Sequence, residues 1–86
     1  MQRKRLHQLF IGTVESQLAN NNPPFVRSTL ARLESEGYST EQATAMMAGI
    51  VAQLMADMIA NDELFDETRY QQLLLKLPEL PHHGEI

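Results

Sequence analysis

The apolar residues of this chain recur at spacings of three and four along four segments, and no segment shows the alternation typical of a half-buried strand. These spacings predict helices near residues 3–20, 23–36, 40–61 and 67–77. Pro78 and Pro81 interrupt the last pattern, so residues 79–86 are predicted to form a flexible tail. The predicted fold class is all-α: a single four-helix domain over residues 1–86, with a long central third helix from about Thr40 to Asn61.

Residues that commonly cap helices stand at the start of three of these segments. The predicted N-cap residues are Asn22, Ser39 and Asp66. Ser39 is followed three residues later by Gln42, and this spacing predicts a capping box. Gly37 stands where the second helix would end, a position that favours the left-handed conformation open to glycine.

The same spacing predicts which side of each shorter helix faces the core. In the first helix these residues are Leu6, Leu9, Phe10, Thr13, Val14 and Gln17. In the second helix they are Phe25, Val26, Thr29, Leu30 and Leu33, and in the fourth Tyr70, Leu73, Leu74 and Leu77. Leu64 and Phe65, in the loop before the fourth helix, are expected to pack against the same core.

The third helix is apolar around most of its circumference. Its large apolar residues are Met46, Met47, Ile50, Val51, Leu54, Met55, Met58 and Ile59. Its small residues, which we call the small-residue track, are Ala45, Gly49, Ala52, Ala56 and Ala60. Only Gln42, Gln53 and Asp57 interrupt this surface. Because an ordinary surface helix keeps a broad polar face, this helix is expected to be covered by protein on nearly every side.

The small-residue track would let another helix approach closely. Three short companion helices are not expected to enclose the whole third helix, so a second copy of the chain is the simplest partner, and a homodimer is predicted. The alternative is that the track receives the first or second helix of the same chain. The four methionines of this helix favour gap filling in a core, with recognition of a partner helix as the alternative.

Charge is distributed unevenly along the chain, whose formal net charge is −4. Arg3, Lys4 and Arg5 supply three of its seven basic residues, and the remaining four face eleven acidic residues. A basic arm at this position could contact nucleic acid, but the acidic remainder would repel phosphate, so a solvated helix start is the favoured interpretation. Nucleic acid is therefore not an expected partner.

Composition favours a cytoplasmic location. The chain has no cysteine, which fits a reducing compartment. Its most apolar stretch, from Ala45 to Ala60, contains Gln53 and Asp57 and is shorter than the roughly 20 residues of a membrane-spanning helix. We therefore expect no membrane partner.

Candidate chemistry is sparse. The adjacent carboxylates lie near helix ends, where solvated caps explain them better than acid–base catalysis does. Asp57 has Gln53 and Asn61 four residues to either side, which predicts a solvent-facing polar strip or, alternatively, a buried network. His82 and His83 are one adjacent pair in the tail, too few for a metal site. No enzyme activity, cofactor or metal is predicted.

Three stretches resemble a bacterial helical domain of unknown function. They are the Pro-Pro-x-Val-Arg-x-Thr-Leu-x-Arg-Leu succession from Pro23 to Leu33, Glu36 to Ser39, and Phe65 to Tyr70 followed by Leu77-Pro78. The resemblance covers roughly two-thirds of the chain and implies a helical fold but no activity. The resemblance implies that some relatives carry histidine and glutamate on the long helix where this chain has Ala45, Gln53 and Leu54, so any polar or metal site in them is not transferable.

These observations favour a non-catalytic protein-interaction module that homodimerises, with an unidentified protein partner also open. A nucleic-acid accessory protein using the basic arm and an accessory subunit of an enzyme complex are the two alternatives.

Overall fold

The computed structural model describes the backbone of residues 2–79 and the side chains of residues 7–79. Over this range the chain forms four helices and no strand: α1 (Gln2–Asn20), α2 (Pro24–Ser35), α3 (Thr40–Asn61) and α4 (Glu67–Lys76). The all-α prediction and the bounds of the long third helix are confirmed. The predicted tail, from Leu80 onward, lies outside the described residues.

The cap of α2 lies one residue later than predicted. Pro23 occupies the N-cap position with extended backbone (φ −77°, ψ 151°), and Pro24 begins the helix. A residue that precedes proline is disfavoured in the helical conformation, so Pro23 has to remain outside the helix. Pro24 is tolerated at the first position because its missing N–H would have no helical partner there. The prediction that Asn22 caps this helix is therefore wrong.

The turn from α2 to α3 follows the local sequence. Gly37 has a φ of 105°, and its N–H donates to the Glu34 carbonyl at 3.1 Å. The Tyr38 N–H donates to the Leu33 carbonyl at 3.1 Å, which completes the two-bond pattern of a glycine-terminated helix. The capping box predicted for α3 is confirmed, with the Gln42 N–H donating to Ser39 Oγ at 3.0 Å and the Ser39 N–H to Gln42 Oε1 at 2.9 Å. These bonds set the start of the long helix.

The turn from α3 to α4 is also fixed by polar residues. Asp62 ends α3 in the left-handed conformation (φ 56°, ψ 47°), which aspartate tolerates better than most residues. Asp66 caps α4 as predicted, because its Oδ1 accepts the Arg69 N–H at 3.1 Å. A carboxylate at this position also interacts favourably with the helix dipole.

The core forms around α3, which contacts each of the other three helices. Its fully or almost fully buried apolar residues are Val14, Val26, Leu33, Ala43, Met47, Ala48, Ile50, Val51, Leu54, Tyr70, Leu74 and Leu77. Every predicted core residue of α2 and α4 is buried or packs against this set. The central position of the third helix is therefore confirmed.

The buried side of α1 is rotated from the predicted one. Leu9 is 63% exposed and Thr13 is exposed, whereas Ile11 and Leu18 pack against the core. Thr13 tolerates this position because its hydroxyl donates to the Leu9 carbonyl within α1 at 3.1 Å. Both sides of α1 carry apolar residues, and packing against α3 decides between them.

Of the two large apolar residues in the loop before α4, only one contacts a core side chain. Phe65 contacts the ring of Tyr70 edge to face, with the ring centroids 5.6 Å apart. Leu64 is 90% exposed, so the expectation that it packs against the core is wrong. Phe65 itself stays 38% exposed, so the loop covers the core only in part.

Candidate interaction surface

The long helix α3 presents two different sides. Its buried residues are Ala43, Thr44, Met47, Ala48, Ile50, Val51 and Leu54. At about 100° of rotation per residue, Ala56 lies roughly 180° from Met47 and about 160° from Leu54. We call the side centred on Ala56 the outer face; it consists of the small-residue track and Ile59, that is Ala45, Gly49, Ala52, Ala56, Ile59 and Ala60.

Coverage of the outer face decreases along α3. Ala45, Gly49 and Ala52 are half-buried, whereas Ala56 and Ala60 are exposed. Ile59 is 84% exposed. Within the described part of the molecule, the expectation of cover on nearly every side is therefore met only along the first half of the outer face. The second half is an apolar surface in contact with solvent.

The methionines of α3 lie mostly at the edges of the core. Met47 is buried, and Met46, Met55 and Met58 are half-buried. Met46 and Met55 pack directly against the core residues. This arrangement fits the use of methionine to fill irregular gaps.

The polar strip of α3 connects it to α4. Asp57 accepts a hydrogen bond from Gln53 Nε2 at 2.9 Å and forms an ion pair with Arg69 at 3.0 Å. Its side chain is only 22% exposed, so the strip is a half-buried contact between two helices. Arg69 lies on another helix, so the spacing of residues along α3 does not identify it as the partner of Asp57. Asp57 is thus compensated within the chain, and the outer face beside it carries no charge.

Tyr70 joins three helices and a loop at the centre of the molecule. It is fully buried, and its ring lies edge to face with Phe25 at a centroid distance of 5.4 Å, in addition to its contact with Phe65. Its hydroxyl donates to Gln17 Oε1 of α1 at 2.7 Å. Burial raises the pKa of Tyr70 to about 12, and the hydrogen bond with Gln17 acts in the opposite direction. Tyr70 therefore has a structural role, because its hydroxyl links α4 to α1 and its ring packs against α2.

The other candidate sites are only partly within the described structure. Arg3, Lys4 and Arg5 belong to α1, but their side chains lie outside the described residues, as do His82 and His83. Among the described residues, no group of three histidine, cysteine, aspartate or glutamate side chains is placed to hold a metal ion. The absence of enzyme activity stays a prediction.

The length and composition of α3 also meet the criteria for a membrane-spanning helix. The whole helix has 22 residues, more than the Ala45–Ala60 stretch considered above, and 39% of its most apolar window is buried in the protein. The core helix of a water-soluble protein meets the same criteria. Length alone therefore does not decide between these environments, and the cytoplasmic location stays a prediction.

Comparison with protein-family models, curated proteins and solved structures gives no match to this chain. The resemblance to a bacterial helical domain therefore stays a prediction.

Proposed function

We propose that this protein is a non-catalytic interaction module that forms a homodimer through the outer face of α3. The observation that carries the proposal is the exposed, uncharged second half of this face, where Ile59 is 84% exposed between exposed alanines. Burying an isoleucine side chain contributes about 1.5–3 kcal/mol. A dimer would gain this contribution twice, once from each copy.

The chemistry of the face favours an apolar partner. Between Glu41 and Asp62 the only charged residue of α3 is Asp57, which is already paired with Arg69. An anionic partner such as nucleic acid would find no cation on this face, and a basic peptide would find no free carboxylate. A second copy of the face offers a surface of the same apolar character.

The shape of the face is suited to contact with itself. On the helical wheel Ile59 lies within about 60° of Ala52 and Ala56, so each copy presents one large side chain beside small ones. In a two-fold arrangement of antiparallel helices centred on Ala56, the Ile59 of one copy would lie near Ala52 and Ala56 of the other. Alanines at the crossing point permit a short interaxial distance of about 8 Å.

Charge favours the antiparallel arrangement over a parallel one. Asp62 and Glu63 are both exposed at the end of α3. Two parallel copies would bring these carboxylates together, whereas two antiparallel copies would separate them and oppose the helix dipoles. The antiparallel dimer is therefore the proposed form.

The size of the face sets the expected affinity. From Ala45 to Ala60 it extends about 22 Å along the helix, at 1.5 Å per residue. A single helical face of this length buries less than the roughly 800 Å² per partner of a standard interface. We therefore expect a dimer that dissociates on dilution.

The experiment compares two substitutions of exposed leucine or isoleucine on different helices. Ile59→Lys places a charge in the proposed interface, whereas Leu75→Lys places it on α4, where Leu75 is 65% exposed. Sedimentation equilibrium over a range of concentrations should show dimers for the unsubstituted chain and for Leu75→Lys, and monomers for Ile59→Lys. A monomer at every concentration of the unsubstituted chain would refute the dimer, and an undiminished Ile59→Lys dimer would refute the choice of face.

A further inference from the structure

A recess of about 310 Å³ lies where the middle of α1 meets the start of α3. It is lined by Ile11 and Glu15 of α1 and by Thr40, Glu41 and Thr44 of α3. The recess is separate from the outer face of α3, because Thr44 belongs to the buried side of that helix. The features that suggest a ligand are a buried hydroxyl and two carboxylates.

The hydroxyl of Thr44 has no hydrogen-bond partner among the described residues, although the residue is only 6% exposed. Thr29 is buried to the same extent, and its hydroxyl donates to the Phe25 carbonyl four residues earlier at 2.7 Å. A buried polar group without a partner is unfavourable and uncommon. The recess beside Thr44 is where a partner for its hydroxyl could bind.

The charges around the recess determine which ligand it would accept. Glu15 and Glu41 are exposed at its rim, and neither belongs to a salt bridge among residues 7–79. At the start of α3 the N–H of Gln42 already bonds Ser39 Oγ and the N–H of Ala43 bonds the Ser39 carbonyl, and the two rim carboxylates would repel an anion at the remaining N–H groups of Thr40 and Glu41. The hydroxyl of Thr40 donates a hydrogen bond to Glu34 Oε2. The recess therefore offers acceptors and negative charge.

We propose that the recess binds a primary alkylammonium group. Such a group has three N–H donors, which match the carboxylates of Glu15 and Glu41 and the hydroxyl oxygen of Thr44. The carboxylates supply the opposite charge, and the side chain of Ile11 contacts the aliphatic stem. Both a free aliphatic amine and the end of a lysine side chain carry this chemistry.

The test follows the methyl NMR signals of Ile11 and Thr44 during titration with n-butylammonium and, separately, with Nα-acetyl-lysine methylamide. n-Butanol, which has a similar stem and no charge, is the ligand control. Saturable shifts with an ammonium compound and none with n-butanol are expected. A response to both ammonium compounds identifies a site open to lysine side chains, and a response to n-butylammonium alone identifies a site for small amines. No response to either overturns the proposal and leaves water as the occupant.

Two threonine variants separate binding from folding. Thr44→Val should weaken n-butylammonium binding about tenfold or more, because a hydrogen bond to a charged group is lost. Thr29→Val, equally buried, should leave binding unchanged and lower the melting temperature, because it removes a satisfied bond. Thr44→Val should not lower the melting temperature. If it does so as much as Thr29→Val, the Thr44 hydroxyl has a partner within the chain and the proposal is wrong.

Discussion

The hydroxyl of Tyr70 should make the stability of this protein sensitive to alkaline pH. The pKa of Tyr70 is raised to about 12 in the folded protein, against an ordinary value of 10.0. Between these values the unfolded chain loses the phenolic proton while the folded chain keeps it, so the free energy of unfolding falls as pH rises. The pKa difference corresponds to a loss of about 2–3 kcal/mol, complete above roughly pH 12.

Tyr70→Phe isolates this effect. At pH 7 the variant should be less stable by about 0.5–1.5 kcal/mol, because the hydrogen bond to Gln17 Oε1 is lost while the ring contacts remain. Above pH 10 only the unsubstituted chain has an unfolded state that is stabilised by ionisation of this phenol. The two stability curves should therefore cross between about pH 10 and pH 11, where the alkaline loss reaches about 0.5–1.5 kcal/mol.

The assay is urea unfolding followed by circular dichroism from pH 7 to pH 11.5. Lysine and arginine titration affects both proteins equally and cancels in the comparison. Tyr38→Phe, which removes the other tyrosine hydroxyl of the chain, should retain the alkaline loss of stability. If Tyr70→Phe loses stability above pH 10 as steeply as the unsubstituted chain, the buried hydroxyl is not the cause and the placement of Tyr70 is wrong.

Two further predictions concern the turn that begins α3. Ser39→Ala should lower the free energy of unfolding by about 0.5–2 kcal/mol, measured by urea titration, because the Gln42 N–H loses its acceptor; an unchanged midpoint would contradict the capping role. Gly37→Ala should cost about 1–2 kcal/mol, measured by thermal unfolding. Nothing lies within 4 Å of the added methyl group, so the cost is that of the positive φ alone, and a neutral result would contradict this backbone conformation.

Local signals in the sequence were sufficient to predict most of the helix ends. Ser39 with Gln42, Gly37 and Asp66 act through bonds to residues three to five positions away, so their roles are visible in the order of the residues. The α2 cap was misplaced because two adjacent prolines compete for its first positions, and the backbone restriction on Pro23 decides between them.

Contacts between helices were not predictable in the same way. Tyr70 and Gln17 are 53 residues apart, and the partner of Asp57 is Arg69 on another helix. Nothing in the spacing of residues along one helix identifies such a partner. The rotation of α1 was missed for a related reason: Leu9 stands at the spacing of a core residue in this helix, and only the surface of α3 selects Ile11 and Leu18 instead.

The outer face of α3 could be predicted from the sequence only in part. The helical wheel separates its small residues from the large ones, and α3 does bury the side opposite Ala56. What covers the outer face is a property of the assembly. Exposure of Ile59 therefore defines a surface for which a partner has to be found by experiment.

The most direct test of the proposed dimer is disulfide cross-linking, because the chain contains no cysteine of its own. Antiparallel copies centred on Ala56 would place the two Ala56→Cys thiols next to each other. The two Ala60→Cys thiols, one on each protomer, would instead be about 12 Å apart along the helix axis. Ala31→Cys, at an exposed position on α2, is the control for disulfide bonds formed by random collision between molecules. Mild oxidation should convert Ala56→Cys to a covalent dimer much faster than Ala60→Cys or Ala31→Cys. Equal rates for all three variants would contradict the account.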